Sequence, residues 1–353
     1  MSELTNVRSE RSDIRRRLLT TVCATALLVC VSASHEAKAD DAPFWIELGG
    51  TFSHLEDTQD AYLPPFAVAT PRPPFAQVSP AEVQKVSPAS WDGSAKISFE
   101  PTGTDLVFSA GVLYGKANRA RSLIQQTVQP YGGAFSDVYP ASQIVTSKNN
   151  ASHAVADFRA GKDIGLGMLG MRGSSLISLG VRYAQFQSQS SATIRSQPTN
   201  LADGLAYNRF YATFAETRKF TGVGPSLSWD ASAGLVGDPA SGEIALDWGA
   251  SAAVLFGRQT VRGHHQTTDN YFHHFYRYLA YHHTGSPNRS KQASVPNVGG
   301  FAALSWRYPN AKVSVGYRAD FFFGAMDGGV DAARKEHVGF YGPFATVSVG
   351  LGG

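Results

Sequence analysis

Beyond residue 30 the chain has no cysteine; Cys23 and Cys30 are its only two. The remainder can therefore hold no disulfide framework, thiol nucleophile or Cys-ligated metal. After residue 40 there is also no apolar run near the ~20 residues that a spanning helix needs. A helical membrane protein is excluded. Excess charge is missing too: 31 Lys and Arg oppose 28 Asp and Glu, for a formal net charge of +3. A chain so near neutrality gives no electrostatic case for nucleic acid, and no such partner is expected. No G-x-S-x-G, H-E-x-x-H or nucleotide-binding glycine loop occurs. No enzyme activity, catalytic residue or cofactor is expected.

The first 39 residues read as a cleaved secretory leader. Arg15, Arg16 and Arg17 precede an uncharged run from Leu18 to Ala33, and Ala37-Lys38-Ala39 supplies a small-x-small cleavage pattern. The alternative, a transmembrane anchor, needs a longer run than Leu18 to Ala33 provides. Both cysteines fall in this leader. Residues 40–353 are then the exported domain, read as one unit.

In that domain the hydrophobic period is two. Ile177, Leu179, Val181 and Tyr183 alternate with Ser178, Gly180 and Arg182. Val313, Val315, Tyr317, Ala319, Phe321 and Phe323 alternate with Ser314, Gly316, Arg318 and Asp320. Ile244, Leu246 and Trp248 alternate with Ala245, Asp247 and Gly249. Alternation puts one set on each face of a strand. About ten such strands are expected, near 44–54, 94–102, 105–117, 152–167, 174–196, 208–234, 243–261, 294–308, 312–324 and 337–351.

Short connections alternate with longer ones. Gly103-Thr104 and Pro309-Asn310-Ala311 are short; the proline-rich stretch 55–93 and the stretch 118–151 are long. This is the pattern of a transmembrane antiparallel up-and-down β-barrel with short periplasmic turns and long extracellular loops. An even strand count puts both termini on the short-turn, periplasmic side. A soluble β-sandwich or lipocalin-type barrel would alternate as well. Two features favour the membrane. The polar faces carry charges of both signs, namely Lys96, Glu100, Asp157, Arg159, Asp163, Arg182, Asp247, Arg318 and Asp320, whereas the apolar faces are almost charge-free. Aromatics also gather at strand ends: Trp229, Trp248, Trp306 and Tyr308 near short turns, and Phe186, Tyr211, Phe256, Phe321 and Phe323 toward long loops. Two interfacial belts are expected of a membrane barrel.

Three segments carry a resemblance. Leu179-Gly180-Val181-Arg182-Tyr183-Ala184, the stretch FTGVGPSLSWD from Phe220 to Asp230, and Tyr341-Gly342-Pro343-Phe344 occur in that order. Together they resemble the Legionella-type major outer-membrane-protein-like family of pore-forming barrels, over about residues 152–351. The resemblance implies an outer-membrane barrel with porin-like activity and no catalytic residues. The chain departs from the usual aromatic end of such barrels, closing on Val349-Gly350-Leu351-Gly352-Gly353.

Two functions follow. In one, the nine charged residues named above line a lumen that passes ions or small hydrophilic solutes, with Gly161, Gly180, Gly249 and Gly316 widening it. In the other, the barrel does not conduct, and its long loops bind a partner, lipopolysaccharide or metal. Partners common to both are outer-membrane lipids, lipopolysaccharide and, during biogenesis, the barrel assembly machinery. The loop proposed for metal is GHHQTTDNYFHHFYRYLAYHH, from Gly263 to His283, with pairs His264/His265, His273/His274 and His282/His283. Histidine is a metal ligand and a proton switch near neutrality. On a helix the pairs form two partial clusters; in an extended hairpin they could meet.

Overall fold

The structure, a computed structural model, describes residues 44–57, 89–101, 104–130, 138–164, 173–198, 207–238, 241–273, 276–286, 288–328 and 335–351. The expected leader and residues 58–88 of the proline-rich connection lie outside the described residues. The described chain is all β, with eleven strands in one antiparallel sheet. They are β1 (Phe44–Asp57), β2 (Ala89–Phe99), β3 (Leu106–Pro130), β4 (Val138–Asp163), β5 (Gly173–Pro198), β6 (Tyr207–Asp238), β7 (Gly242–His273), β8 (Tyr276–Gly285), β9 (Asn288–Tyr308), β10 (Ala311–Asp327) and β11 (Lys335–Leu351).

The sheet closes on itself. Neighbours in sequence pair all round except β8 and β9, and β1 pairs β11 from Phe44↔Leu351 to Asp57↔Val338. Closure leaves no edge within the band that spans the membrane, as a lipid environment requires. β7 pairs β9 from Glu243↔Arg307 to Arg262↔Asn288, then pairs β8 from His265↔Gly285 onward. β8 and β9 are thus upper and lower parts of one stave, and the barrel has ten. Phe44 and Leu351 sit side by side at the short-turn end.

Strand parity decides which solvent each side chain meets. On β3, Leu106, Phe108, Val112 and Tyr114 face out and are exposed, while Leu113 and Gly115 face in and are buried. On β7, Ile244, Leu246, Val254 and Phe256 face out, while Ala245, Asp247 and Leu255 face in. From Leu106 to Tyr114 the strand spans nine residues, within the ~9–11 that a tilted transmembrane strand needs.

The belts are largely where the alternation puts them. Trp306 and Tyr308 stack at 5.8 Å, and Trp229 meets Trp248 edge-on at 6.5 Å, all four near the short turns. Phe256 and Phe323 are exposed at the opposite rim, and Phe321 lies beside Tyr341 at 6.3 Å. Trp91, Phe52 and Tyr114 join this rim. Phe186 does not: it is 2% exposed and faces the lumen. Tyr211 lies higher, under the guanidinium of Arg195, beyond the band.

Much of what reads as long loop is strand. β3 and β4 stay paired up to Pro130↔Val138, and β6 and β7 up to Tyr207↔Phe272. On β5 the outward set changes at Tyr183 from apolar to Gln185, Gln187, Gln189, Ser191 and Thr193, while Ala184, Phe186, Ala192 and Ile194 are buried inside. The polarity of the wall inverts because water, not lipid, surrounds this part.

A charge on the band should therefore cost far more than one above it. Leu179→Arg is expected to lower folding stability in bilayers by about 2–4 kcal/mol, against ~0–1 for Gln187→Arg on the same strand and face. Denaturant unfolding in lipid vesicles checks the contrast.

Candidate functional site: a stratified lumen

Ten staves enclose so little space that inward side chains reach the opposite wall. They sort into layers. Nearest the short turns, Trp45, Glu47, Lys96, Ser98, Arg307, Lys312 and Ser348 surround a small hollow. Ser348 Oγ donates to Glu47 Oε2 at 2.9 Å.

Above it lies a cavity of about 360 Å³. Lys96, Asp157, Arg159, Arg182, Asp247, Arg318 and Asp320, all expected in the lumen, line it. Glu100 and Asp163 do not. Glu100 follows the end of β2 on the surface, and Asp163 ends β4, where its Oδ1 accepts from the Ser175 amide at 3.1 Å. Strand ends carry their charges to the mouth rather than into the lumen. Four further charged residues line the cavity: Glu47, Asp230, Arg307 and Lys312. The parity that marked the others would have found them, because each alternates with an outward apolar neighbour.

These charges neutralise one another across the barrel. Arg182 Nε donates to Asp157 Oδ1 at 2.7 Å, and its Nη1 reaches Asn297 of β9 and lies 4.0 Å from Asp320 of β10. Arg159 Nη2 donates to Asp157 Oδ2 at 2.8 Å. Arg318 Nη2 contacts Asp320 Oδ2 at 3.3 Å, and Arg307 and Lys312 share Asp247. An unpaired charge here would face a heavy desolvation cost.

The inward glycines do not widen this space. A Cβ at Gly299 would collide with Asp320 Oδ1, one at Gly161 with Ser178 Oγ, and one at Gly249 with Asp230 and Phe301. Their missing side chains are filled by neighbours lying flat against the wall.

Above Arg182 the lumen is closed. Phe220 of β6 lies parallel to Phe186 of β5 at 6.1 Å, and Phe186 meets Phe322 of β10 edge-on at 4.7 Å. Phe322 packs on Phe340 of β11 at 5.7 Å, and Phe340 stacks on His153 of β4 at 4.6 Å. This bar of rings crosses the barrel, with Leu55, Leu113, Val155, Leu255 and Val295 around it. Phe220 and Phe322 are 0% exposed.

His153 is held by a buried carboxylate. Its Nε2 lies 3.4 Å from Asp92 Oδ2, and Ser53 and Ser90 donate to the same carboxylate. Only glycine fits at position 115, since a Cβ there would strike both Asp92 and His153.

The closure comes from the upper ends of β10 and β11. The β10–β11 register shifts between Phe322 and Met326, around Gly324 with φ +68°. Beyond the shift, Ala325, Met326 and Asp327 are buried, and β10 touches β6 and β7. Gln259 Nε2 donates to Gly324 O at 2.6 Å, and Arg218 Nη1 to Asp327 O at 3.2 Å. Arg218 also pairs with Glu336 of β11 and with Glu216 at 3.2 Å. Arg289 and Lys291 hold the Asp327 carboxylate at 2.6 and 2.7 Å. A second, ionic seal thus lies over the aromatic one.

The histidines do not converge. His264 and His265 are on β7, and His282 and His283 on β8. His264 and His282 face outward, bonded to Ser286 at 3.0 Å and Thr268 at 3.1 Å, whereas His265 is buried inside. Thr268 pairs with His282 while His265 pairs with Gly285, so the two outward rings are four residues apart along the hairpin. His273 ends β7; His274 lies outside the described residues. Among the described residues no three His, Cys, Asp or Glu form a metal-holding group.

No protein-family model matches the sequence, and no curated protein matches it. Solved barrels do. A structure described as "CymD monoaromatic hydrocarbon channel" is 8% identical over 89% of this chain and 90% of that one, with a TM-score of 0.23. The transport unit of the autotransporter AIDA-I from Escherichia coli is 9% identical over 92% and 96%, with a TM-score of 0.23. The P. putida toluene transporter TodX is 8% identical over 89% and 91%, with a TM-score of 0.20. At such scores nothing of those proteins' roles carries over to this chain.

Two substitutions probe the layers. Phe322→Ala should cost about 3–5 kcal/mol, the usual loss for a buried Phe that leaves a cavity. Gly115→Val should cost as much or more, by driving Asp92 and His153 apart. Denaturant midpoints in detergent, compared with an outward control such as Val315→Ala, check both.

Proposed function

We propose that this protein is an outer-membrane barrel that does not conduct in its resting form and that works through its outer wall and the strands above the membrane. The observation that carries this reading is the buried bar of rings from Phe220 to His153, with the Arg218–Glu336 ion pair above it. A passive pore needs a continuous water path, and the path ends at Arg182. The outward apolar band, the two aromatic rims and the secretory leader expected from the sequence support the outer membrane as the location. The paired termini at the short-turn end support their lying in the periplasm. The resemblance to the Legionella-type barrels belongs with this proposal as a statement about lineage, not about an open pore.

A second reading has its own support. The charged cavity below the seal and the Gly324 irregularity in β10 suit a porin-like path that opens when the ends of β10 and β11 swing out. Planar bilayer recording separates the two. Folded wild type, identified by heat-modifiable migration, should give no unitary current steps. Regular steps from wild type would instead establish the pore reading. Arg218→Gln removes the guanidinium that contacts both Glu216 and Glu336, a break in a buried ion pair of the kind worth about 3–5 kcal/mol, and should be the variant most prone to open.

A further inference from the structure

Above the apolar band, the described charged side chains on the outward face of β6 and β7 are of one sign. On the outward face of β6 and β7 stand Lys219, Arg258 and Arg262, all exposed. Lys219 pairs with Thr260, the residue midway between Arg258 and Arg262. Lys219 therefore has an arginine on each diagonal, at about 7–8 Å. Arg262 lies opposite Thr217, and Arg258 lies between Thr221 and Gln292. No carboxylate shares this outward face among the described side chains: Glu216, Asp327 and Glu336 all point inward and are buried. None of the three cations has an ion pair among the described residues. Arg258 Nε donates only to Ser290 Oγ, at 2.6 Å.

The contrast with the rest of the barrel is informative. Inside, Arg182, Arg218, Arg307 and Lys312 each meet a carboxylate. At the opposite rim, outward Lys162 meets Asp105 at 3.7 Å. Three neighbouring cations with no counter-charge repel one another, so a polyanion placed among them is favoured.

What lies beneath selects the kind of polyanion. Phe256 and Val223, the last exposed apolar residues of β7 and β6, sit directly below Arg258 and Thr221. The cations are thus one to three outward positions above the lipid-facing surface, at the depth of headgroup phosphates. A soluble anion would use only the cations. An amphiphile uses both at once, acyl chains on Phe256 and Val223 and phosphates above. The hydroxyls and amides of Thr217, Thr221, Gln187 and Gln292 around the cations suit sugar hydroxyls.

We propose that the outward face of β6 and β7 at Lys219, Arg258 and Arg262 binds a phosphorylated glycolipid of the surrounding leaflet. The proposal names the partner of the outer wall and rests on the outer-membrane reading for which leaflet that is. Charge-assisted contacts to phosphate hold the headgroup, and its affinity falls as salt rises.

The test is native mass spectrometry of the full chain in detergent. Wild type and the triple variant K219Q/R258Q/R262Q are titrated with bis-phosphorylated diglucosamine lipid, with its dephosphorylated form and with phosphatidylglycerol. Wild type should retain the bis-phosphorylated glycolipid best. The triple variant should lose at least about tenfold in that affinity, the equivalent of one lost charged hydrogen bond. Heat-modifiable migration shows the variant folded. Equal binding by variant and wild type, or equal binding of all three lipids, overturns the site. Orientation is read separately: Gln266→Cys, outward on the same hairpin, should react with a membrane-impermeant maleimide on intact cells. If it does not, the outer-leaflet lipid is the wrong partner even where the titration succeeds, and the outer-membrane reading falls at its topology alone.

Discussion

A ten-stave barrel is too narrow for its inward side chains to ignore one another. Several residues that turn in from one wall meet residues from the far wall, and much of the structure follows from that. Arg182 of β5 is answered by Asn297 of β9 and Asp320 of β10. Arg218 of β6 is answered by Glu336 of β11. Phe186 of β5 is answered by Phe322 of β10. Charges that would line a channel in a wide barrel here tie opposite walls together.

Height along the barrel decides the chemistry of each face. In the band, lipid outside demands an apolar surface, and the polar residues go in. Above it, water outside permits Gln185 to Thr193 to face out, and the interior becomes a small hydrophobic core. The crossover on β5 lies between Tyr183 and Ala184. The same boundary places the carboxylates Glu216, Asp327 and Glu336 inside, bound to Arg218, Arg289 and Lys291, and leaves Lys219, Arg258 and Arg262 outside with no ion pair among the described residues.

Much of this was legible in the linear chain. Period-two alternation placed all ten staves within a few residues of their lower ends, and it sorted Asp157, Arg182 and Asp320 from Leu179, Val315 and Phe323 by face. It failed above the membrane. The sequences 118–130 and 262–285 lack the regular apolar alternation that marks a strand, and they read as loop. Phe186 was misplaced for a related reason: its neighbours Gln185 and Gln187 show that the apolar face had already turned inward. The glycines at 161 and 249 read as gaps, because the side chains that fill them come from other strands.

Local sequence determined what repeats along a strand: the strands, their two faces and the aromatic rims. These depend on a residue and its neighbours two positions away, where parity is enough. Only the tertiary structure decided how the lumen is filled above Arg182, where His264, His265 and His282 point and which cations lack an ion pair among the described residues. Those depend on register between strands and on contacts between walls, such as Arg218 with Glu336 across more than a hundred residues of chain. No periodicity in one strand carries that information, because the partner is chosen by closure of the sheet.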